Sequence, residues 1–137
     1  MTGMDVLWRC RNYKKDIARL QLRLGCARDA AMRITRSTDT TGHGGGQDKM
    51  SEYASKVDEI EREMRDRAEQ YARDVALAAQ LMERLEPAQG NVLYMRMVRC
   101  MTVRQVAAQM HVSTDSVRGL YRRGRTAAES IELHEKV

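Results

Sequence analysis

From Val6 to Ile34 the chain places an apolar residue at every third or fourth position. Val6, Cys10, Tyr13, Ile17, Leu20, Leu24, Ala27, Ala31 and Ile34 follow at steps of 4, 3, 4, 3, 4, 3, 4 and 3. A helix repeats every 3.6 residues, so this alternation draws one narrow stripe along one side, the seam of a coiled coil. A strand cannot use it, because its side chains alternate with a period of two. Asp5 is a suitable N-cap, and a helix over residues 5–36 is about 45 Å long. A single stripe of this kind is buried only against another helix.

The second stripe follows in the same chain. Met50, Tyr53, Val57, Ile60 and Met64 keep the spacing, and Ala68, Tyr71, Val75, Ala78, Met82 and Leu85 resume it after one 4-4 step. Such a step is a stutter, where the seam is locally unwound. Pro87 disfavours helical geometry at Glu86 and ends this helix there. Between the two stripes lies Ser37–Asp48, STDTTGHGGGQD, with no hydrophobic residue, which reads as a flexible loop. It is not a phosphate loop, since Lys49 is followed by Met50 and no strand precedes the glycines. The string from His43 through its glycines is not a lipase oxyanion loop either, because no G-x-S-x-G accompanies it.

Charge sets how the two helices pair. Residues 1–36 hold nine Lys/Arg and three Asp/Glu, a balance of +6, and residues 37–86 hold seven and twelve, a balance of −5. A basic and an acidic helix joined by a short loop fold back as an antiparallel hairpin. Each exposed ion pair is worth only about 0.2–1 kcal/mol, so the signs choose the pairing while the apolar seam drives it. Two helices make a thin core, and the hairpin needs further cover from the C-terminal part or from a second chain.

Composition excludes much else. Aromatic residues are 4%, with no Phe, and there is one Pro in 137 residues. This suits long helices and argues against a sandwich or an α/β sheet. No apolar run approaches the roughly 20 residues of a membrane span, and no segment resembles a signal peptide. The expected location is the cytoplasm. Cys10, Cys26 and Cys100, and His43, His111 and His134, are scattered without the spacing of a zinc site. No nucleophile–base set or carboxylate pair is recognisable, so no enzyme and no cofactor is expected.

Residues 87–137 carry the functional signal. Pro87 suits the first position of a helix running to about Arg99 through Val92, Leu93, Met97 and Val98. Thr102 and Gln105 fit a capping box. The helix they open contains Val103, Val106, Ala107 and Met110. His111-Val112 makes a turn, and Ser113 caps a further helix with Val117 and Leu120 inward. This is a helix-turn-helix pattern, with small Ala107 at the helix crossing. His111 stands where Gly is usual, and a positive φ there carries strain that His tolerates better than most residues. Residues 96–125 hold seven arginines against one acid, Asp115. Arginine suits phosphate contacts, although a run of arginines is also compatible with a plain solvated face.

On these residues the chain resembles a known family. Leu85-Glu86-Pro87, Val92-Leu93-Tyr94-Met95-Arg96-Met97, Thr102-Val103-Arg104-Gln105-Val106-Ala107, Val112-Ser113 and Val117-Arg118-Gly119-Leu120 look like region 4 of sigma-70 factors. The whole chain, including Gln47-Asp48-Lys49-Met50, is similar to small ArpU-like phage and prophage transcriptional regulators, in which a long helical hairpin precedes a helix-turn-helix. Met97 and Val103, standing where aromatics are common, and Arg125, standing where the recognition helix often ends in an Ala-Leu pair, depart from the pattern.

The expected fold is therefore all-α: a long antiparallel helical hairpin over 1–86, with its loop at 37–48, followed by a helix-turn-helix over 87–137. The resemblance implies that the start of the last helix enters a major groove. Thr114, Asp115 and Gly119 then face base edges, and Ser116, Arg118 and Arg122 lie near phosphates. Arg104 and Arg123 complete the candidate DNA-binding set. Asp115 can accept from a cytosine amine and Thr114 can meet a thymine methyl. Gly119 offers no side chain to read with. The expected partner is double-stranded DNA. RNA polymerase and a second copy of the chain are further candidates, since one unit makes few base contacts. A small terminase-type DNA-packaging subunit and a helical interaction module without DNA binding are the alternative readings.

Overall fold

The computed structural model describes residues 1–41 and 45–135, with side chains for 1–34 and 49–135. It contains α1 (Gly3–Thr41), α2 (Gly45–Arg84), α3 (Pro87–Leu93), a π-turn (Tyr94–Val98), α4 (Val103–Met110) and α5 (Thr114–Glu129). The architecture is all-α, a long antiparallel α1/α2 pair followed by a small helical domain, as the two seams and the capping signals imply. No helix among the described residues is long and apolar enough to cross a membrane.

The helices run into the stretch expected to be a loop: α1 continues to Thr41 and α2 begins at Gly45. Ser and Thr cost only about 0.7 kcal/mol or less per helical residue relative to Ala, so a long helix can carry several. The remainder of that expected loop, including His43, lies outside the described residues.

Contacts divide the chain into two compact units, Lys15–Glu69 and Met1–Lys14 with Gln70–Val137. Both long helices contribute to each. In Lys15–Glu69, Leu20, Ala27 and Ile60 are buried, flanked by half-buried Ile17, Leu24, Val57 and Met64. These are seam positions. The register is written in the ion pairs Arg28–Glu61 (2.9 Å), Arg23–Glu63 (3.8 Å) and Asp16–Arg67 (2.7 Å): as the α1 number falls, its α2 partner's rises. The basic-to-acidic matching operates in two of the three, and Asp16–Arg67 reverses it. Ala68, counted in the α2 stripe, is exposed, four residues after Met64 at the stutter.

The other unit has a wider core. Met4, Val6, Leu7 and Cys10 of α1 meet Leu77, Ala78, Leu81 and Leu85 of the α2 end, Leu93, Met97 and Val98, Ala128 of α5, and Leu133. Burying a large aliphatic side chain completely is worth about 1.5–3 kcal/mol. Leu77 and Leu81 lie outside the predicted stripe, as do Met4 and Leu7. Here each long helix is covered on more than one side, so its apolar face broadens beyond one seam. Tyr13 and Tyr71 stack with ring centroids 4.1 Å apart. Asp74 is buried, held by Gln70 Nε2 at 3.1 Å and by Arg9 at 3.7 Å. The chain after α5 returns along the start of α1: Gly3 N–H donates to Ile131 O (2.9 Å) and Leu133 N–H to Met1 O (2.8 Å). Gly3 is a close approach, because a Cβ there would lie 2.6 Å from Leu81 Cδ1 and 2.9 Å from Ala128 O.

Candidate nucleic-acid interface

Pro87 opens α3 as its first residue, with Glu86 extended before it. The expected single helix to Arg99 changes character at Leu93. From Tyr94 to Val98 the bonding widens to π, with Arg99 N–H reaching Tyr94 O at 3.1 Å. Cys100 then takes φ 53, and Met101 N–H closes the end on Met95 O at 2.9 Å. Arg96 Nη1 donates to Met101 O at 2.6 Å, fixing the same connector. Neither the π-turn nor the left-handed Cys100 has a composition signal.

The helix-turn-helix is built as its residues prescribe. Gln105 N–H donates to Thr102 Oγ1 (3.2 Å) and Thr102 N–H to Gln105 Oε1 (2.9 Å), a complete capping box. His111 ends α4 at φ 57 and ψ 44, the left-handed conformation expected at that turn. Val112 N–H closes it on Ala107 O at 3.1 Å. Ser113 Oγ accepts from Ser116 N–H at 3.1 Å and starts α5. Val92, Val106, Ala107 and Val117 form the core, with Leu120 and Tyr121 packed against it. Behind it α5 crosses α3 at Gly124, where a Cβ would lie 3.1 Å from Leu93 Cδ1 and 3.2 Å from Gln89 Cβ. No local pattern in the residues marks this crossing.

The eight candidate residues fall on the start of α4 and the first ten residues of α5. Arg104 is in the first turn of α4 and is exposed. Thr114, half-buried, and exposed Asp115 and Ser116 form the first turn of α5; Arg118, Arg122 and Arg123 follow, all exposed. Gly119 lies within this run, and a Cβ there would meet only Arg123 Nη2, at 3.8 Å. The helix therefore has open space at Gly119.

Asp115 and Arg118, assigned different tasks, are bonded to each other: Arg118 Nη1 donates to Asp115 Oδ1 at 3.2 Å, with the two side chains 66% and 92% exposed. A pair so exposed is easily opened. Arg125 is engaged by Glu129 at 3.1 Å. Arg104, Arg122 and Arg123 have no carboxylate within 4.0 Å among the described residues. Ser116 Oγ accepts from Ser113 Oγ (2.9 Å), so its hydroxyl is part of the cap network.

Residues 76–127 match the family model for sigma-70, region 4. They run from the last part of α2 through α3, the π-turn and α4 into α5, and carry a sigma-70 region 4 helix-turn-helix. No curated protein matches the chain. No solved structure matches it either.

Proposed function

We propose that the chain is a sequence-specific DNA-binding transcription regulator of phage or prophage type, acting on promoters through its region 4-like helix-turn-helix. The observation that carries this reading is α5: a Ser113-capped helix that offers half-buried Thr114 and exposed Asp115 at its tip and exposed Arg118, Arg122 and Arg123 behind them. In a helix-turn-helix the second helix lies in the major groove with its N-terminal residues on base edges. Thr114, Asp115 and the open position at Gly119 occupy that place here. Arg104, Ser116, Arg118, Arg122 and Arg123 lie on phosphates. The Asp115–Arg118 pair opens on binding, so that the carboxylate takes a cytosine amine and the guanidinium a phosphate.

One recognition helix makes few base contacts, so the reading includes a tether. RNA polymerase is one. A second copy is the other, and the unit Lys15–Glu69 supports it: a cavity of about 510 Å³ is lined there by Ala27, Ile60 and exposed Leu22 and by charged Arg23, Lys56 and Glu59. Setting basic α1 of one copy on acidic α2 of the other matches their charges.

Selection of bound sequences from random duplex DNA at stated salt tests the reading, followed by titration of the selected duplex. Arg122→Ala should weaken binding alike on all sequences and flatten the slope of log affinity against log salt by roughly one unit. Asp115→Ala should relax preference at one base pair, by about 1–3 kcal/mol. If both variants stay folded and bind as the parent does, the recognition helix is misassigned. Light scattering, and crosslinking to purified polymerase, separate the two tethers; an assembly of eight or more copies points to the packaging reading instead.

A further inference from the structure

The cations of α1 differ in what they meet. In Lys15–Glu69, Arg23 and Arg28 pair with glutamates of α2. In the other unit Arg9 reaches Asp74. Arg11 and Lys14 do neither. Arg11 Nη1 lies 3.8 Å from Met97 Sδ, and Lys14 Nζ donates to Arg99 O at 3.1 Å. Both therefore sit against the end of the π-turn, a few residues before Thr102, the N-cap of α4. Exposed Arg99 and Arg104 flank the same cap. Among the described residues none of Arg11, Lys14, Arg99 and Arg104 has a carboxylate within 4.0 Å.

Arg11 and Lys14 are brought to one connector, next to Arg99 in the chain, with no carboxylate within 4.0 Å among the described residues, and like charges so placed repel one another in the free protein. Their protein partners are weak. A thioether is a poor acceptor for a guanidinium with five donors, and one carbonyl uses one of the three donors of an ammonium. Each group retains donors for an anion with several oxygens. In a helix-turn-helix the first helix crosses the nucleic-acid backbone, and here that helix is α4.

We propose that Arg11 and Lys14 form a second grip on the DNA backbone, holding phosphates beside the segment read by α5. The proposal rests on the DNA-binding reading above. It places part of the interface on α1, outside the residues that match the family, and gives the start of the hairpin a binding role as well as a packing one.

The molecule contains its own reporter. Trp8 is the one tryptophan, it is 41% exposed, and the Arg11 guanidinium carbon lies 5.7 Å from its ring centroid. A phosphate that draws Arg11 changes the surroundings of this ring.

The test titrates the selected duplex into the full chain at several salt concentrations, reading affinity by a labelled duplex and the protein by Trp8 emission. Arg11→Gln with Lys14→Gln should reduce the salt slope by roughly two units, about 0.9 per phosphate contact. The duplex should change Trp8 emission in the parent and not in Arg11→Gln, and Lys14→Arg should keep the parent slope. A double variant that melts lower but keeps the parent slope shows that Lys14 merely caps a helix end, and overturns the proposal. So does an unchanged slope in a fully stable variant while Arg122→Ala loses its unit. If the parent itself binds no duplex, the DNA-binding reading falls, and this proposal with it.

Discussion

The two compact units are made from the same two helices, yet their interiors differ. In Lys15–Glu69 the buried residues are Leu20, Ala27 and Ile60, none fully sealed, while Leu22 and Met32 stand 70% and 57% exposed. In the unit joining Met1–Lys14 to Gln70–Val137, Val6, Leu7, Cys10, Ala78, Leu81, Leu93 and Met97 have no exposed surface at all. Two helices alone can hide one stripe each. Where α3, α5 and the chain after α5 add further cover, the same helices bury neighbouring rows as well. The number of packed layers decides how much of an amphipathic helix is core.

The largest expected effect breaks one unit and spares the other. Leu20→Asp places a charge in the thin seam with no partner for it. Circular dichroism should lose the share of helix carried by Lys15–Glu69, while the melt followed by Trp8 emission, which reports the other unit, should shift far less. A variant that melts as the parent in both signals removes the hairpin assignment. Next come changes that crowd the interior of the other unit. Gly3→Ala pushes a methyl group into Leu81 and the Ala128 carbonyl, and Ala107→Leu forces α4 and α5 apart. Overpacking costs about 1–3 kcal/mol in each case, read from the Trp8 melt. Ala107→Leu should also abolish duplex binding.

A third prediction uses pH. Burial, with the Asp74 carboxylate nearby, pushes the Cys10 thiol up to about 12. The folded state therefore keeps a proton that the unfolded chain releases near pH 9. Stability from this source is complete below pH 9 and is lost as pH rises towards about 12, at roughly 1.4 kcal/mol per pH unit. Burial raises Tyr71 too, with Cys10 contributing, so the slope specific to the thiol is the difference between parent and Cys10→Ala. Exposed Cys26 and Cys100 should alkylate in the native protein while Cys10 does not. Equal reactivity of all three would mean that the wide core is open. The smallest effect is a gain. Gly119 is helical with open space around it, so Gly119→Ala should stabilise α5 by about 0.5–1 kcal/mol in the melt. A loss would show that this face of α5 is packed rather than open.

What could be read from the residues follows the range of the forces involved. The capping box at Thr102, the left-handed turn at His111 and the cap at Ser113 are satisfied within a few residues, so the local string specifies them. The hairpin seam repeats often enough to be unmistakable. Leu77, Leu81, Met4 and Leu7 were missed because their burial depends on partners far along the chain. The same holds for the close approaches at Gly3 and Gly124, which look like any other glycine until Leu81 and Leu93 are set against them. Among the site candidates, the string places Arg104 at the start of α4 and the others along the first ten residues of α5. It could not show that Asp115 already holds Arg118, nor that Arg11 and Lys14 belong beside the α4 cap.

The discontinuity of the wide-core unit bears on the order of folding. Its core cannot close until residues 1–14 return to 70–137 across the intervening chain, and the entropy of closing a flexible loop grows with its length, by about 0.6 kcal/mol per doubling. Lys15–Glu69 is a hairpin of helices, and helix–coil relaxation takes about 0.1–1 μs for a short helix. If it zips first, the distant ends are joined by a stiff connector rather than a coil, and the search that remains is short. On this view the thin unit earns its place kinetically: it organises the collapse of its better-packed neighbour, so weakening its seam should slow refolding of the helix-turn-helix by more than it lowers the final stability of that unit.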